Sequence, residues 1–196
     1  SFLVSLEVAL ENTLICILIG YPAAYILADR KLNRSSLTAV LFILPMWINA
    51  LMRTLATAEI FNSIGIGLGK GTLLFGLTYD YLPFMIYPIY TILSKMDRSY
   101  IEAAQDLGAS PAKVFLKVTL PLSMPGVMSG VMMVFMPTVS TFAISEILTN
   151  NTIQLFGSII QEQFNNLMWN QGAALSLAML IIIGLSTLLQ KNKDDN

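Results

Sequence analysis

A carboxylate at position 80 lies within a long apolar and aromatic run. If this run is helical, Phe84 and Tyr87 follow Asp80 at i+4 and i+7 and share its face. A carboxylate beside aromatic rings suits an organic di- or polyammonium ion, and charges at membrane depth are often functional. Asp80 could instead pair with a Ser, Thr or Asn of a neighbouring helix. Glu146, near the end of a later apolar run, could line an outer mouth or simply be solvated.

A second candidate region is the polar segment 95–119, which has the pattern of two short helices joined by a turn. Apolar residues recur at helical spacing and predict a helix over 98–107. Gly108 is placed to end that helix. Ser110 and Pro111 are typical of the cap and first residue of a second helix, predicted to end where the next apolar run enters the membrane.

Composition shows which elements must position these residues. Hydrophobic residues make up 55% of the 196 positions and charged residues 12%, whereas a soluble domain carries roughly 25% charged residues. Most of the surface must therefore face lipid. The net charge of -1 argues against nucleic acid. Without histidine, and with only Cys16 in an apolar run, we expect no catalytic residues, metal site or cofactor.

Five apolar segments are each long enough to cross a bilayer as a helix, which requires roughly 20 residues. They cover residues 8–28, 37–58, 72–93, 120–144 and 172–189. Prolines within four of them are tolerated, because neighbouring helices can satisfy the freed carbonyls. The sequence therefore predicts an all-α, polytopic helical bundle that forms a single domain over residues 1–196.

Basic residues indicate which side of the membrane is cytoplasmic. Alternating spans place Arg53 and Lys70 on one side and nine basic residues on the other: Arg30, Lys31, Arg34, Lys95, Arg98, Lys113, Lys117, Lys191 and Lys193. The richer side should be cytoplasmic. The segment 95–119 then lies inside. The Asn-rich stretch 146–170 lies outside, with a surface or re-entrant helix over 153–164. A chain that begins outside is expected to lack one upstream span.

The segment 95–119 also matches a known signature. Its matching residues are Glu102, Ala103, Ala104, Gly108, Leu120 and Pro121. Spaced in this way, they resemble the EAA motif of bacterial ABC-importer permeases, although that family has isoleucine where Val118 stands. The flanking sequence is similar to spermidine/putrescine permeases, in particular the B-type of the two permease subunits. The resemblance covers nearly the whole chain.

This resemblance implies a type I ABC-importer permease fold in the bacterial plasma membrane. Two permease subunits would form the pore, cytoplasmic ATPase subunits would hydrolyse ATP, and an extracellular or periplasmic binding protein would deliver spermidine or putrescine. The segment 95–119 would be the coupling elbow that docks on the ATPase. Ala103, Ala104 and Gly108 are small enough for a partner to approach closely, and Glu102 offers an acceptor.

Several alternatives to this interpretation remain open. Permeases for iron, sulfate, thiamine and other small solutes share the same elbow, so the motif alone does not fix the substrate. The elbow could be an amphipathic helix that packs on its own protein. A secondary transporter is the rival class, but it has no reason for an ATPase-docking elbow. Two departures from the family are the missing sixth, N-terminal span and a short external loop over 53–71.

Overall fold

The computed structural model describes residues 2–29, 42 and 44–194, and for 185–194 it describes the backbone alone. Within these ranges the chain forms helices and no strands, which confirms the all-α class. In chain order they are α1 (Phe2–Ala28), a 3-10 helix (Leu44–Trp47), α2 (Ala50–Ser63), α3 (Lys70–Lys95), α4 (Ser99–Asp106), α5 (Pro111–Val114), a π-helical segment (Phe115–Thr119), α6 (Leu120–Ser140), α7 (Ala143–Thr149), α8 (Phe156–Asn165) and α9 (Trp169–Asp194).

Helices α1, α3 and α6 form the centre of the bundle. Their buried apolar side chains include Cys16, Met85, Ile89 and Val134. Helices α3 and α6 approach so closely that a Cβ added at Gly126 would lie 2.9 Å from the Pro88 carbonyl oxygen. Such contacts between small residues and a neighbouring backbone are typical of helices that pack within a membrane.

Buried hydrogen bonds join the same three helices. Asn12 Nδ2 of α1 donates to Thr138 Oγ1 of α6 at 2.9 Å, and Thr78 Oγ1 of α3 donates to Asn12 Oδ1 at 3.0 Å. Nearer the other end, Tyr21 and Ser123 share a 2.8 Å hydrogen bond between α1 and α6. Buried polar groups need such partners in lipid, so these bonds fix α6 antiparallel to α1.

Several predicted membrane segments coincide with long helices. Helices α1, α3 and α9 cover the first, third and fifth predicted spans and extend beyond them. Among the described residues, two helical stretches are long and apolar enough to cross a bilayer. These are Phe2–Ala28, with a mean hydropathy of 2.0, and Pro111–Ser140, with 1.6.

The prediction of a continuous helix over 37–58 is wrong for the part that the structure describes. The 3-10 helix ends at Trp47, and α2 begins afresh after Asn49. The side-chain oxygen of Asn49 accepts the Leu51 and Met52 backbone N–H groups at 2.9 and 3.4 Å, so it caps a new helix. The beginning of the predicted segment lies outside the described residues.

The fourth predicted span, 120–144, is also interrupted. Helix α6 ends at Ser140, Thr141 is extended, and α7 begins at Ala143. Pro137 has no N–H to donate, and the Ser140 hydroxyl donates back to the Met136 or Pro137 carbonyl. The extended backbone of Thr141 ends α6, so the prediction of one continuous helix over 120–144 is wrong.

The helix predicted over 153–164 is observed as α8, Phe156–Asn165. The Phe156 N–H at its start donates to Ser5 Oγ of α1 at 2.6 Å. The Phe156 ring also packs edge to face on Phe2, with ring centroids 5.6 Å apart. Helix α8 is thus held against the beginning of α1.

Candidate functional site

The coupling elbow, residues 95–119, begins with the predicted short helix. Helix α4 covers Ser99–Asp106, within about one residue of the prediction at each end. The Ser99 N–H donates to Asp97 Oδ1 at 2.9 Å, and this hydrogen bond lowers the pKa of the Asp97 carboxyl. Gly108 has φ +78°, a left-handed conformation that favours glycine. The predicted turn at Gly108 is therefore confirmed.

The second half of the elbow differs from the prediction. Pro111 is the first residue of α5 as expected, but the Ser110 side chain makes no capping hydrogen bond. Helix α5 does not end at Leu120. It continues through the π-helical segment into α6 as one 30-residue helical stretch, Pro111–Ser140. Pro121 closely follows the π-helical segment, and such a local π adjustment can satisfy the backbone groups that a proline frees within a helix. The second half of the elbow is thus joined to α6 without a break in the helix.

The residues of the EAA match lie in different surroundings. Glu102, Ala103, Gly108 and Pro121 are exposed, whereas Ala104 and Leu120 are half-buried. Leu107, which precedes the turn, is 89% exposed. The elbow thus presents an open surface with apolar, acidic and small residues, and this surface could receive a partner protein.

The structure gives Asp80 a partner that the sequence did not predict. Asp80 is only 2% exposed, and its Oδ1 lies 2.9 Å from Arg53 Nη2. This contact is an ion pair by distance, but it is not aligned as a hydrogen bond. Thr54 Oγ1 lies 3.1 Å from Asp80 Oδ2, and the Arg53 guanidinium lies 5.3 Å from the centre of the Tyr79 ring.

The two charges lie at equal distances along neighbouring helices. Arg53 is ten residues before the end of α2 at Ser63, and Asp80 is ten residues after the start of α3 at Lys70. At a rise of 1.5 Å per residue, both lie about 15 Å along their helices from the connecting loop. This equal distance brings the two charges together where α2 packs against α3.

The other predicted translocation residues differ in their exposure. Phe84 is half-buried against the Tyr81 ring, with centroids 6.2 Å apart, and Tyr87 is 48% exposed. Glu146 lies half-buried in α7. In the described conformation, Asp80 has Arg53 as its counter-charge and Thr54 as a hydrogen-bond donor, so the alternative of a threonine partner from a neighbouring helix is observed. Within the described ranges, no group of three or more Cys, Asp or Glu could hold a metal ion.

A solved structure identifies the class to which this fold belongs. A chain of the MetNI methionine ABC transporter, in inward-facing conformations, superposes with a TM-score of 0.75. The match covers 94% of this chain and 90% of that one, at 17% sequence identity. The fold is that of an ABC transporter permease.

Sequence comparison then gives the family. Residues 17–194 match the model of the binding-protein-dependent transport system inner membrane component. The chain belongs to this family of transport permeases. It is therefore a multi-pass component of the bacterial plasma membrane and a transport protein rather than an enzyme.

Curated relatives cover most of the chain. The spermidine/putrescine transport system permease protein PotB of Escherichia coli (strain K12) is 35% identical over 94% of this chain and 74% of its own length. PotB of Haemophilus influenzae is 33% identical over 92% of this chain and 70% of its own length. A PotB homolog of Mycoplasma genitalium is 28% identical over 79% of this chain and 59% of its own length.

Proposed function

We propose that this chain is a permease subunit of an ABC importer that moves spermidine or putrescine into the cell. The observation that carries this proposal is its 35% identity, over 94% of its length, to a spermidine/putrescine permease. We further propose that residues 1–196 form one membrane domain of about five spans. In this arrangement, segment 95–119 lies in the cytoplasm.

The elbow is the proposed docking site for a cytoplasmic ATPase subunit. Glu102, Ala103 and Gly108 lie on its open surface, and Ala104, Leu120 and Pro121 complete the proposed coupling set. When the ATPase subunits close on ATP, they displace the elbow. Because the helical stretch Pro111–Ser140 is continuous, the displacement passes directly into α6. Hydrogen bonds from α6 to Tyr21 and Asn12 carry it further to α1.

The remaining functions belong to proposed partners. A second permease subunit completes the pore within membrane lipid, and an extracellular or periplasmic binding protein delivers the substrate. Hydrolysis of ATP takes place in the ATPase subunits. These separate roles are consistent with the described residues of this chain, which form an exposed elbow and a packed helical bundle.

The proposed translocation path is lined by Asp80, Phe84, Tyr87 and Glu146. Tyr87 and Glu146 are at least partly accessible in the described conformation. Asp80 can bind a substrate ammonium group only when Arg53 moves away from it, because the ion pair occupies its carboxylate. Opening of the α2–α3 contact would therefore be part of the transport cycle.

Uptake of labelled substrate tests the proposed function. The chain is expressed with its second permease, ATPase and binding protein in cells that lack their own polyamine uptake. Labelled putrescine and spermidine should accumulate, and an inactive ATPase partner should abolish the accumulation. Uptake of labelled sulfate or thiamine instead would contradict the substrate assignment. Accumulation that persists with the inactive ATPase would contradict the class of importer.

A further inference from the structure

A gap separates the elbow from the membrane helices above it. This cavity of about 270 Å³ lies between the adjoining ends of α1 and α3 and the first half of the elbow. Its polar lining includes Tyr25, Asp29, Ser94, Arg98, Glu102 and Gln105. Because this cavity is lined by residues of both α1 and α4, a mechanical link across it depends on side chains that span its edge.

One such link is an ion pair between residues far apart in the sequence. Arg98 Nη2 lies 3.3 Å from Asp29 Oδ1, with side chains 49% and 32% exposed. Asp29 directly follows α1, and Arg98 directly precedes α4. The pair therefore connects the end of a central membrane helix to the start of the elbow.

The exposure of this pair suggests a role in positioning rather than in folding. Exposed ion pairs contribute little to stability and are readily broken by water and salt. The fold of the bundle is held instead by buried contacts such as that of Asn12 with Thr138. A weak bond at a movable junction can form and break as the elbow shifts.

We infer that Arg98 and Asp29 are positioning residues that tether the elbow to α1 and pass its displacement into that helix. This route runs beside the continuous connection from α5 to α6, which serves the second half of the elbow. The inference rests on the proposed function, since it requires an ATPase that moves the elbow. Without the tether, ATP would still be hydrolysed, but a given displacement of the elbow would move α1 less.

The test measures coupling in the complete transporter. Proteoliposomes containing both permeases, the ATPase and binding protein are supplied with labelled putrescine, and ATP hydrolysed per putrescine imported is recorded. Asp29→Asn and Arg98→Gln should each raise this ratio about threefold, the effect of losing an exposed ion pair on one equilibrium. The double variant Asp29→Arg, Arg98→Asp should restore most of the parental ratio, because it rebuilds the pair with its charges exchanged.

The matched control is Lys70→Gln. It removes exposed ion pairs to Glu7 and Glu11 at the opposite end of the bundle and should leave the ratio unchanged. Parental ratios in both single variants, or no rescue by the exchanged pair, would overturn the inference. If the single variants fail to assemble, Asp29→Glu and Arg98→Lys keep the charges and should assemble and couple normally. If these charge-preserving variants also fail to assemble, the ion pair is needed for assembly, and the inferred positioning role is overturned.

A failure of the proposed function would give a different result from a failure of the tether. A parental transporter that imports no putrescine would contradict the substrate assignment, whatever the variants do. In that case, the ratio of binding-protein-stimulated to basal ATP hydrolysis still tests the tether. Asp29→Asn and Arg98→Gln should lower it, and the exchanged pair should raise it again. Equal stimulation in parent and single variants would overturn the tether.

Discussion

The coupling elbow and the Arg53–Asp80 pair hold functional candidates in opposite environments. In the elbow, Leu107 is 89% exposed, and among the described residues no atom beyond the two chain neighbours lies within 4 Å of a Cβ added at Gly108. In the bundle, Asp80 is 2% exposed, and its charge is matched by Arg53 of another helix. Changes in the elbow should therefore alter function in an intact subunit, whereas changes at the pair should first alter the subunit itself.

The largest effect is expected from Asp80→Asn. This change leaves the Arg53 guanidinium buried without its counter-charge, and breaking a buried ion pair destabilises a protein by roughly 3–5 kcal/mol. The amount of subunit inserted in the membrane should fall sharply. Adding Arg53→Gln should recover most of it, because no unpaired charge then remains. Insertion can be measured by quantitative immunoblotting of washed membranes.

The opposite result at Asp80 would change its interpretation. An Asp80→Asn subunit that inserts at the parental level but imports putrescine about tenfold more slowly would have lost about 1.4 kcal/mol of pathway stabilisation. Asp80 would then act in the proposed translocation path without also stabilising the bundle.

The next effect concerns Gly108→Val in the elbow. Valine at φ +78° strains the turn and adds bulk to the proposed docking surface. We expect uptake to fall at least about tenfold, equivalent to 1.4 kcal/mol, with normal insertion. Gly65→Val is the matched control, because Gly65 has φ +74° and is equally open but lies between α2 and α3. Equal losses in both variants would attribute the effect to backbone strain alone.

A smaller effect is expected at Tyr79, whose ring lies beside the Arg53 guanidinium. Tyr79→Leu removes the cation–π contact and should destabilise the solubilised subunit by about 1 kcal/mol. Tyr79→Phe keeps the ring and should match the parent. Thermal unfolding of the purified transporter distinguishes the two variants. Equal stability of the leucine and phenylalanine variants would show that the ring does not stabilise Arg53.

The smallest effect concerns an exposed ion pair, in contrast to the buried one. Hydrogen bonds to Glu11 and Glu7 raise the pKa of Lys70 above its ordinary value. The stabilisation is therefore complete below the unfolded pKa of about 10.4 and is lost only as pH rises through the folded value. The melting difference between the parent and Lys70→Gln should stay small and constant from about pH 6 to 9. A marked change in this melting difference between about pH 6 and 9 would show that a group other than Lys70 titrates in the contact.

The elbow could be predicted from the sequence because its shape is encoded locally. Gly108 and Pro111 determine where one short helix ends and the next begins, and both act through their own backbone. Its continuation into α6 could not be predicted in this way, because the change from polar to apolar sequence at Leu120 indicated the end of one helix and the start of another. The partner of Asp80 depends on how α2 packs against α3, which no local pattern specifies. The interruption at Asn49 also prevented the prediction of Arg53 as the partner of Asp80. A continuous second span over 37–58 places Arg53 near the outer surface.

Cross-linking at Leu107 tests the central claim that the elbow receives the ATPase. A photoreactive benzoylphenylalanine is placed at Leu107 in cells that express the complete transporter, and one at Leu14, 58% exposed on α1, is the control. On illumination, Leu107 should give an adduct that mass spectrometry identifies as the ATPase subunit, and Leu14 should give none. If the Leu107 position forms no ATPase adduct in a transporter that imports putrescine, the elbow is not the docking site and the account is contradicted.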